Sequence, residues 1–400
     1  MKKFFAMFFV LFLCSCNTGQ GTSEVPENKP FGWRSAGLTP NADSLNKWGN
    51  GYMDIVHSGK YIFVRDGKVA NTQTLEPNRR IFMSMQGSNT WEEIQTPDGM
   101  IVFTVYADEF GLYVGTYNSG QVWHYDPSAK KWTELSIQIE TPELNEFRAE
   151  LTIYGIARFK GQLIVCIGDY VDKLKYTVAF MLLLQSDGTW KDISPPDNYS
   201  ADAWKLPFHF SKAVEWRDKL FAINNNVGTW VYDGSQWEKL PYPEGLISGH
   251  TNEPYDAPHA VAVHKDRLYT GQYSYGGVHE LQDDYSWVRV DSNTATDGSY
   301  YYNTPWRIKT LVSTGEHLLV AGIGPGGIPQ VYMGDKGDPK GWRSLRRGWC
   351  DNVRCIATET YGLDVVGDTL YAATWSGMFK FPLSDLDSAI AGENSYYKED

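Results

Sequence analysis

A sequence unit of about fifty residues recurs along the chain and constrains its fold more than any other feature. Its clearest copy, residues 218–240 (DKLFAINNNVGTWVYDGSQWEKL), contains two short apolar runs, an Asp-Gly turn and a last run that begins at Trp237. Closely related segments begin at Phe110 and Asp266. Apolar runs separated by turn residues indicate short antiparallel strands.

Seven copies of the unit align on the first apolar residue after a turn. The aligned residues are Tyr61, Leu112, Leu163, Leu220, Leu268, Leu318 and Leu370. An apolar run before each of them indicates an innermost strand a, and a tryptophan marks an outermost strand d in six copies. These tryptophans are Trp91, Trp132, Trp190, Trp237, Trp287 and Trp342. One such sheet cannot cover both of its faces alone, so the sequence predicts an all-β, seven-bladed β-propeller of four-stranded antiparallel blades.

The last copy lacks an outermost strand of its own. The start of the chain can supply it, because Gly32-Trp33-Arg34-Ser35 nearly duplicates Gly341-Trp342-Arg343-Ser344. An N-terminal strand that completes the last blade closes the ring and leaves no unpaired sheet edge. We therefore predict a single propeller over residues 31–390, followed by a flexible tail at 391–400.

The N-terminus predicts export. Two lysines precede an apolar run from Phe4 to Leu13, which is too short to cross a bilayer. Leu13-Cys14-Ser15-Cys16 resembles the bacterial lipobox, in which the last cysteine is lipidated and becomes the first residue of the mature protein. The resemblance implies a lipoprotein signal peptide at 1–15, lipidation of Cys16 and a lipidated, polar tether at 16–30. An ordinary cleaved signal with an incidental cysteine is the alternative.

Composition argues against nucleic acid as a partner. The formal net charge is −12, removal of Lys2 and Lys3 with the signal makes it more negative, and the sequence has no basic run. Cys166 lies in an apolar run and is predicted to be a small buried side chain. Cys350 and Cys355 bracket a short loop, which a disulfide could hold in an exported protein. The sequence near that pair offers too few ligands for a metal, and neither a metal nor a cofactor is predicted.

The ligand-binding residues are predicted at one end of the ring. In up-and-down blades, the b-to-c and d-to-a connections emerge on one face around the axial funnel, and several of them are longer than a turn requires. Planar rings and guanidinium groups there would supply apolar area and fix a polar or anionic ligand. The predicted ligand-binding residues are Arg65, Tyr117, Tyr170, Trp204, His209, Tyr273, Tyr302, Trp306, Arg307, Arg347 and Trp375. Packing of loops on one another is the alternative for each aromatic residue.

Other conspicuous residues are predicted to be structural. His57 and His264 take the same place in the repeat alignment, at the end of strand a and away from the funnel. The strand-d tryptophans recur once per blade, which is typical of packing elements. The short turns at Ser186 (SDG) and Tyr232 (YDG) lie on the face opposite the funnel.

Lipobox, polar tether and a single propeller together resemble the surface lipoproteins that accompany TonB-dependent transporters of glycans, corrinoids or ferric siderophores. This resemblance implies an outer-membrane, surface-exposed protein that captures a small ligand in its funnel and passes it to a transporter. Asn17, next to the lipidated cysteine, favours the outer membrane. Arginines near the funnel of an acidic chain favour an anionic ligand such as a ferric siderophore.

Two other classes of function stay open. The chain could bind or cleave glycans: Ser186-Asp187-Gly188-Thr189-Trp190 resembles a shortened Asp-box of the propeller sialidases, and His209 or His259 could act as the base of a lyase. It could also be a protein-interaction scaffold of the cell envelope. No carboxylate pair with catalytic spacing is evident in the sequence, so binding is favoured over catalysis, and no catalytic residue is assigned.

Overall fold

A computed structural model describes residues 32–38, 52–66, 80–137, 150–171, 176–195, 199–200, 210–224, 228–241, 258–272, 277–290, 307–323, 329–332, 334, 342–345, 359–374 and 376–392. These residues form seven antiparallel sheets, each with four strands in the order a-b-c-d, and one of the sheets has a short fifth strand beside them. The predicted all-β, seven-bladed propeller is confirmed.

The first strand of the chain, β1 (Arg34–Ser35), belongs to the last blade. Blade 1 consists of β2 (Tyr52–Ser58), β3 (Tyr61–Asp66), β4 (Ile81–Met85) and β5 (Glu92–Ile94). Blade 2 consists of β6 (Val102–Asp108), β7 (Gly111–Thr116), β8 (Val122–Asp126) and β9 (Lys131–Leu135). Blade 3 consists of β10 (Thr152–Phe159), β11 (Gln162–Val171), β12 (Tyr176–Leu184) and β13 (Trp190–Asp192), and β14 (Tyr199–Ser200) also pairs with β12.

The remaining four blades repeat this order. Blade 4 consists of β15 (Phe210–Trp216), β16 (Lys219–Asn224), β17 (Gly228–Tyr232) and β18 (Trp237–Lys239). Blade 5 consists of β19 (Pro258–His264), β20 (Arg267–Gln272), β21 (Val278–Leu281) and β22 (Trp287–Arg289). Blade 6 consists of β23 (Arg307–Ser313), β24 (Leu318–Ile323), β25 (Gln330–Tyr332) and β26 (Trp342–Ser344). Blade 7 consists of β27 (Thr360–Val366), β28 (Thr369–Thr374), β29 (Gly377–Pro382) and β1.

The ring closes as the sequence predicts. β1 pairs with β29, with Arg34 opposite Lys380 and Ser35 opposite Phe379. Trp33 is 5% exposed, and its ring centroid lies 5.3 Å from that of Phe381. The N-terminal strand therefore supplies strand d of blade 7 and covers the edge that β29 would otherwise leave unpaired.

The strand-d tryptophans join each blade to the blade before it in the ring. In six blades the indole Nε1 donates a hydrogen bond to a backbone carbonyl at the end of the preceding strand d. The donor and acceptor pairs are Trp91 to Ala36 (2.8 Å), Trp132 to Gln95 (2.9 Å), Trp190 to Ser136 (3.1 Å), Trp287 to Pro241 (3.0 Å), Trp33 to Leu345 (2.9 Å) and Trp237 to Ile193. The recurring tryptophans are therefore packing elements, as predicted, because a buried indole needs an acceptor.

The c-to-d turns are stabilised by their own carboxylates. The side chains of Asp126, Asp187, Asp233 and Asp284 accept hydrogen bonds from backbone N–H groups two or three residues later. These bonds, with those from neighbouring hydroxyls, lower the pKa of each carboxyl, in Asp233 to about 2. The turns at Ser186 and Tyr232 thus have a structural explanation, since Asp commonly closes such turns on its own backbone.

One detail of the repeat alignment is wrong. In the pairing of strands a and b, Ile62 is opposite His57 as Leu112 is opposite Ala107, so the residue equivalent to Leu112 is Ile62 and not Tyr61. His57 and His264 are consequently one position apart. A slip of one residue moves a side chain to the other face of a strand, so the two histidines have different surroundings.

Both histidines nevertheless contact a neighbouring blade. His57 Nδ1 is 2.8 Å from Asp364 Oδ2 of blade 7, and this hydrogen bond raises the pKa of His57. His264 is buried, and its Nδ1 is 2.8 Å from Ser313 Oγ of blade 6. These contacts agree with the structural role that the sequence predicts.

A short helical segment follows blade 7 and reaches the start of the predicted tail at 391–400. A 3-10 turn (Leu383–Asp385) leads into α1 (Leu386–Gly392), and Leu386, Ala389 and Ile390 are buried. Cys166 is a free, buried thiol, as expected. The predicted signal peptide at 1–15, the tether at 16–30 with Cys16, and the pair Cys350 and Cys355 lie outside the described residues.

Candidate functional site

The same irregularity occurs near the start of strand a in every blade. There the pairing with strand b skips one residue, which is a β-bulge. The skipped residues are Met53, Phe103, Tyr154, Ser211, His259, Lys309 and Tyr361. We call this set the bulge ring. Bulges turn a side chain away from the regular alternation and are over-represented beside functional sites.

The bulge ring lies at one end of the propeller axis. Strand a is the innermost strand of each blade, and its first residues follow the d-to-a connection. The b-to-c connections emerge at the same end because adjacent strands are antiparallel. We call this end the mouth; it is where the sequence places the ligand.

Aromatic side chains occupy the part of the mouth formed by blades 2 and 3. The rings of Phe103 and Tyr154 meet edge to face, with centroids 5.1 Å apart. Tyr117 stacks on the other side of Phe103 at 5.9 Å and is 39% exposed. Three rings in contact, one of them open to solvent, form a surface suited to a planar or apolar group.

Cationic side chains occupy the part formed by blades 4 and 6, beside an aromatic ring of blade 7. Lys309 Nζ lies 5.8 Å from the ring centroid of Tyr361, and Tyr361 donates a hydrogen bond to Glu359. His259, between blades 4 and 6, is partly buried, and burial together with the fields of Lys309 and Lys212 lowers its pKa to about 3. The imidazole is therefore neutral at pH 7.

An internal ion pair completes the described mouth. Arg65, at the end of β3, is 7% exposed, and its Nε lies 2.6 Å from Asp54 Oδ2. Asp54 also acts on the pKa of His259, although their blades are not neighbours. Charged groups of blades 1, 4 and 6 therefore all act on His259 of blade 5.

Two of the predicted ligand-binding residues have described side chains. Tyr117 is exposed at the mouth, whereas Arg65 is buried there and committed to Asp54. Tyr170 and Arg307 lie at the mouth ends of β11 and β23, and only their backbone is described. The other predicted residues, Trp204, His209, Tyr273, Tyr302, Trp306, Arg347 and Trp375, lie outside the described residues. Their role in binding stays a prediction.

The sequence interpretation missed most of the bulge ring. Phe103, Tyr154, Lys309 and Tyr361 were not singled out, because they lie inside apolar runs that read as ordinary strands. A signal did exist: Phe103 precedes Leu112 by the same interval as Tyr154 precedes Leu163 and Lys309 precedes Leu318. A position that changes chemistry from copy to copy at fixed register is typical of a variable site on a constant scaffold.

The described side chains at the mouth can bind a ligand by stacking on aromatic rings and by attraction to positive charge. His259 adds one neutral imidazole. Within the described ranges, no group of three His, Cys, Asp or Glu side chains is placed to hold a metal ion. The Arg65–Asp54 ion pair and the lysines place both signs of charge in one opening. This arrangement favours an amphiphilic or charged ligand over a purely apolar one.

Comparison with known proteins supports the fold and leaves the family open. No family model matches the chain, and no curated protein is similar to it. A catalytically inactive virginiamycin B lyase from Staphylococcus aureus, in a structure with quinupristin, is similar with a TM-score of 0.56 and 13% identity, covering 87% of this chain and 98% of the lyase. A streptogramin B lyase structure is similar with a TM-score of 0.55 and 14% identity, covering 87% of this chain and 97% of the lyase.

A third similar structure comes from a protein assembly. A chain of the mitotic checkpoint complex gives a TM-score of 0.51 and 14% identity, covering 88% of this chain and 95% of that one. The likeness is one of fold. At these identities the propeller is shared, and function depends on the side chains that each chain carries on it.

Proposed function

We propose that the chain binds a small ligand with a planar part and an anionic group at the mouth. The carrying observation is the group of side chains that the structure describes at the mouth: the rings of Phe103 and Tyr154 on blades 2 and 3, and Lys212 and Lys309 on blades 4 and 6, which both act on the imidazole of His259. The ring of Tyr154 provides stacking area, and Lys309 provides charge-assisted hydrogen bonds.

A ferric catecholate complex is the probe that fits this description. Its rings would lie against Phe103 and Tyr154, and its negative charge would lie near Lys212 and Lys309. The acidic chain as a whole would repel an anion, which makes local cations at the mouth decisive.

We expect Lys309→Ala and Tyr154→Ala each to weaken binding of ferric tris-catecholate about tenfold or more, because each removes a charge-assisted bond or a stacked ring. Quenching of intrinsic tryptophan fluorescence on titration measures the affinity. Lys191→Ala and Phe110→Ala are matched controls, since both residues are exposed and lie away from the mouth, on an outer strand and on an a-to-b turn. Equal affinity in all four variants would remove the mouth as the binding site.

A lyase is the second candidate, favoured by the neutral imidazole of His259 at the mouth and by the fold likeness to two lyases. A neutral imidazole can accept a proton, but a pKa of about 3 makes it a weak base until an anionic substrate offsets the lysines. Incubation with quinupristin, followed by mass spectrometry, tests this candidate. Conversion by the native chain and its loss in His259→Ala would support it; an unchanged substrate would remove it.

We also propose that the protein is a lipoprotein of the outer membrane that delivers its ligand to a transporter. The support is the lipobox-like sequence that ends at Cys16. In the part of the chain that the structure describes, no helix is long and apolar enough to cross a membrane. We expect Cys16→Ser to move the exported protein from the membrane fraction to the soluble fraction, as judged by fractionation in a bacterial host. Retention in the membrane would contradict lipidation at this residue.

A further inference from the structure

Blade 5 carries three buried polar side chains on one face. Thr270 and His279 are cross-strand partners in β20 and β21, and Gln272 lies two residues beyond Thr270 toward the mouth. Their exposed fractions are 0% for Thr270, 1% for His279 and 0% for Gln272. We call these three residues the polar seam.

The seam faces blade 4. Leu268 and Leu281 pack against Phe221 of blade 4. Thr270 and His279 are two residues away from these leucines along β20 and β21, so they share the same face, because alternate residues of a strand point to the same side. The seam therefore lies between two blades, with an apolar layer on the side away from the mouth.

The other blades show what this position normally holds. The residues paired in the same register as Thr270 and His279 are Val64 and Phe82, Val114 and Trp123, Val165 and Leu182, Ala222 and Trp230, Val320 and Gln330, and Ala372 and Phe379. The first member is always Val or Ala, and the second is aromatic or aliphatic in all but blade 6. Blade 5 thus carries polar residues at both positions, whereas blade 6 does so at one and the other five blades at neither.

No protein group described by the structure is within hydrogen-bond reach of five seam atoms. They are Thr270 Oγ1, Gln272 Nε2 and Oε1, and both ring nitrogens of His279. Leaving so many buried polar atoms unpaired would cost free energy of the same order as the stability of a whole domain. Native proteins rarely keep such atoms unpaired, and their usual partners are bound water or a ligand.

The seam side chains share one hydrogen-bonding character. Burial, with the charge of Arg289 adding to it, lowers the pKa of His279 to about 4, so its ring is neutral at pH 7. A neutral imidazole, a primary amide and a hydroxyl each offer both a donor and an acceptor. A hydroxyl group of the ligand can donate to one of these groups and accept from another, whereas a cation would be repelled by Arg289, whose charge acts on His279.

A glycine borders the seam, with His279 and the guanidinium of Arg289 close to it. Gly277, in the row that faces Gln272 across the strands, has a φ of 125°, and a Cβ there would lie 3.3 Å from His279 Cε1. A side chain at residue 277 would therefore press on the imidazole. Both Gln272 and Gly277 are on the mouth side of blade 5, and both are buried.

We propose that the polar seam between blades 4 and 5 binds the hydroxyl groups of a small neutral molecule, either a polyol or water. This site is separate from the axial mouth and independent of the anionic ligand proposed there. A sugar or alditol would be held by donor and acceptor pairs of Gln272 and His279, and internal water would use the same atoms.

The test uses the full mature chain with D-mannitol and D-glucose as probes. We expect at least one probe to bind in isothermal titration, and Thr270→Val and His279→Phe to weaken it at least tenfold. Both substitutions copy the residues of blade 1, so the variants should fold. Tyr154→Ala, which alters the mouth, should leave polyol affinity unchanged, and this separates the seam from the axial site.

A high-resolution crystal structure distinguishes the two sources of hydroxyl groups. If neither probe binds, ordered solvent density within hydrogen-bond distance of Thr270 Oγ1 and His279 would support water as the occupant. Two results would overturn the proposal. One is a dry seam with no density near these atoms and no polyol affinity; the other is polyol binding that His279→Phe and Thr270→Val leave unchanged.

Discussion

Replacement of Trp33 by alanine is expected to lower the free energy of unfolding by about 3–5 kcal/mol, the range for truncating a buried aromatic side chain. Trp33 is 5% exposed, packs on Phe381 and donates its indole hydrogen bond to Leu345 at 2.9 Å. It also holds a strand of only two residues, Arg34–Ser35, against β29. Its loss therefore exposes the edge of blade 7 as well as leaving a cavity. Denaturation in guanidinium chloride measures the change.

Trp287→Ala is the matched control for this prediction. Trp287 makes the equivalent bond, to Pro241 at 3.0 Å, but it is less buried, and β22 follows the rest of blade 5 directly in the chain. We expect a clearly smaller loss, because strand d of blade 5 stays tethered when its tryptophan is removed. Equal losses in the two variants would show that ring closure by the N-terminus adds nothing to stability.

Stability is expected to fall in mild acid, and the two histidines whose pKa is lowered, His259 (to about 3) and His279, are expected to account for much of the fall. The pKa of His279 is lowered from 6.5 to about 4, mainly by burial in the folded protein. Between pH 6.5 and 4, His279 therefore binds a proton in the unfolded chain but not in the folded chain. The contribution of His279 to the free energy of unfolding is fully present above pH 6.5 and is lost progressively as the pH falls toward 4. At pH 5, His279 alone lowers the free energy of unfolding by about 2 kcal/mol.

The comparison of two variants isolates this effect. His279→Phe should flatten the decrease in the free energy of unfolding between pH 8 and pH 5, measured by urea denaturation at each pH. Gln330→Phe is the control, since it changes the equivalent residue of blade 6 without removing a titratable group. If both variants keep the pH dependence of the native chain, His279 is not buried in its neutral form.

Repetition made the fold predictable. Seven apolar runs at regular intervals, followed by tryptophans, predicted every sheet that the structure contains in its described part. The near-duplication of Trp33 and Trp342 predicted closure, because the two residues occupy the same position in successive blades. Register was less secure: blade 1 was aligned on Tyr61 where the structure requires Ile62, since adjacent apolar residues satisfy the same pattern.

The site was predictable as a place and much less so as a set of residues. The rule that two kinds of connection meet at one end placed Tyr117 among the predicted binding residues; the structure leaves it exposed, and its role in binding stays a prediction. The rule did not identify Phe103 and Tyr154, because a bulge is a shift in hydrogen-bond pairing and leaves no mark in composition. The burial of Arg65 against Asp54 was equally invisible, since charge in a sequence does not reveal its partner.

The sequence by itself determined the number of blades, the order of their strands and the strand that closes the ring. These follow from local patterns repeated along the chain, and each copy reinforces the reading of the next. Only the tertiary structure decided which side chains converge at the mouth and which polar groups are shut between blades 4 and 5. Such relations join residues far apart in the chain, and they depend on register and packing between sheets, which no local pattern encodes.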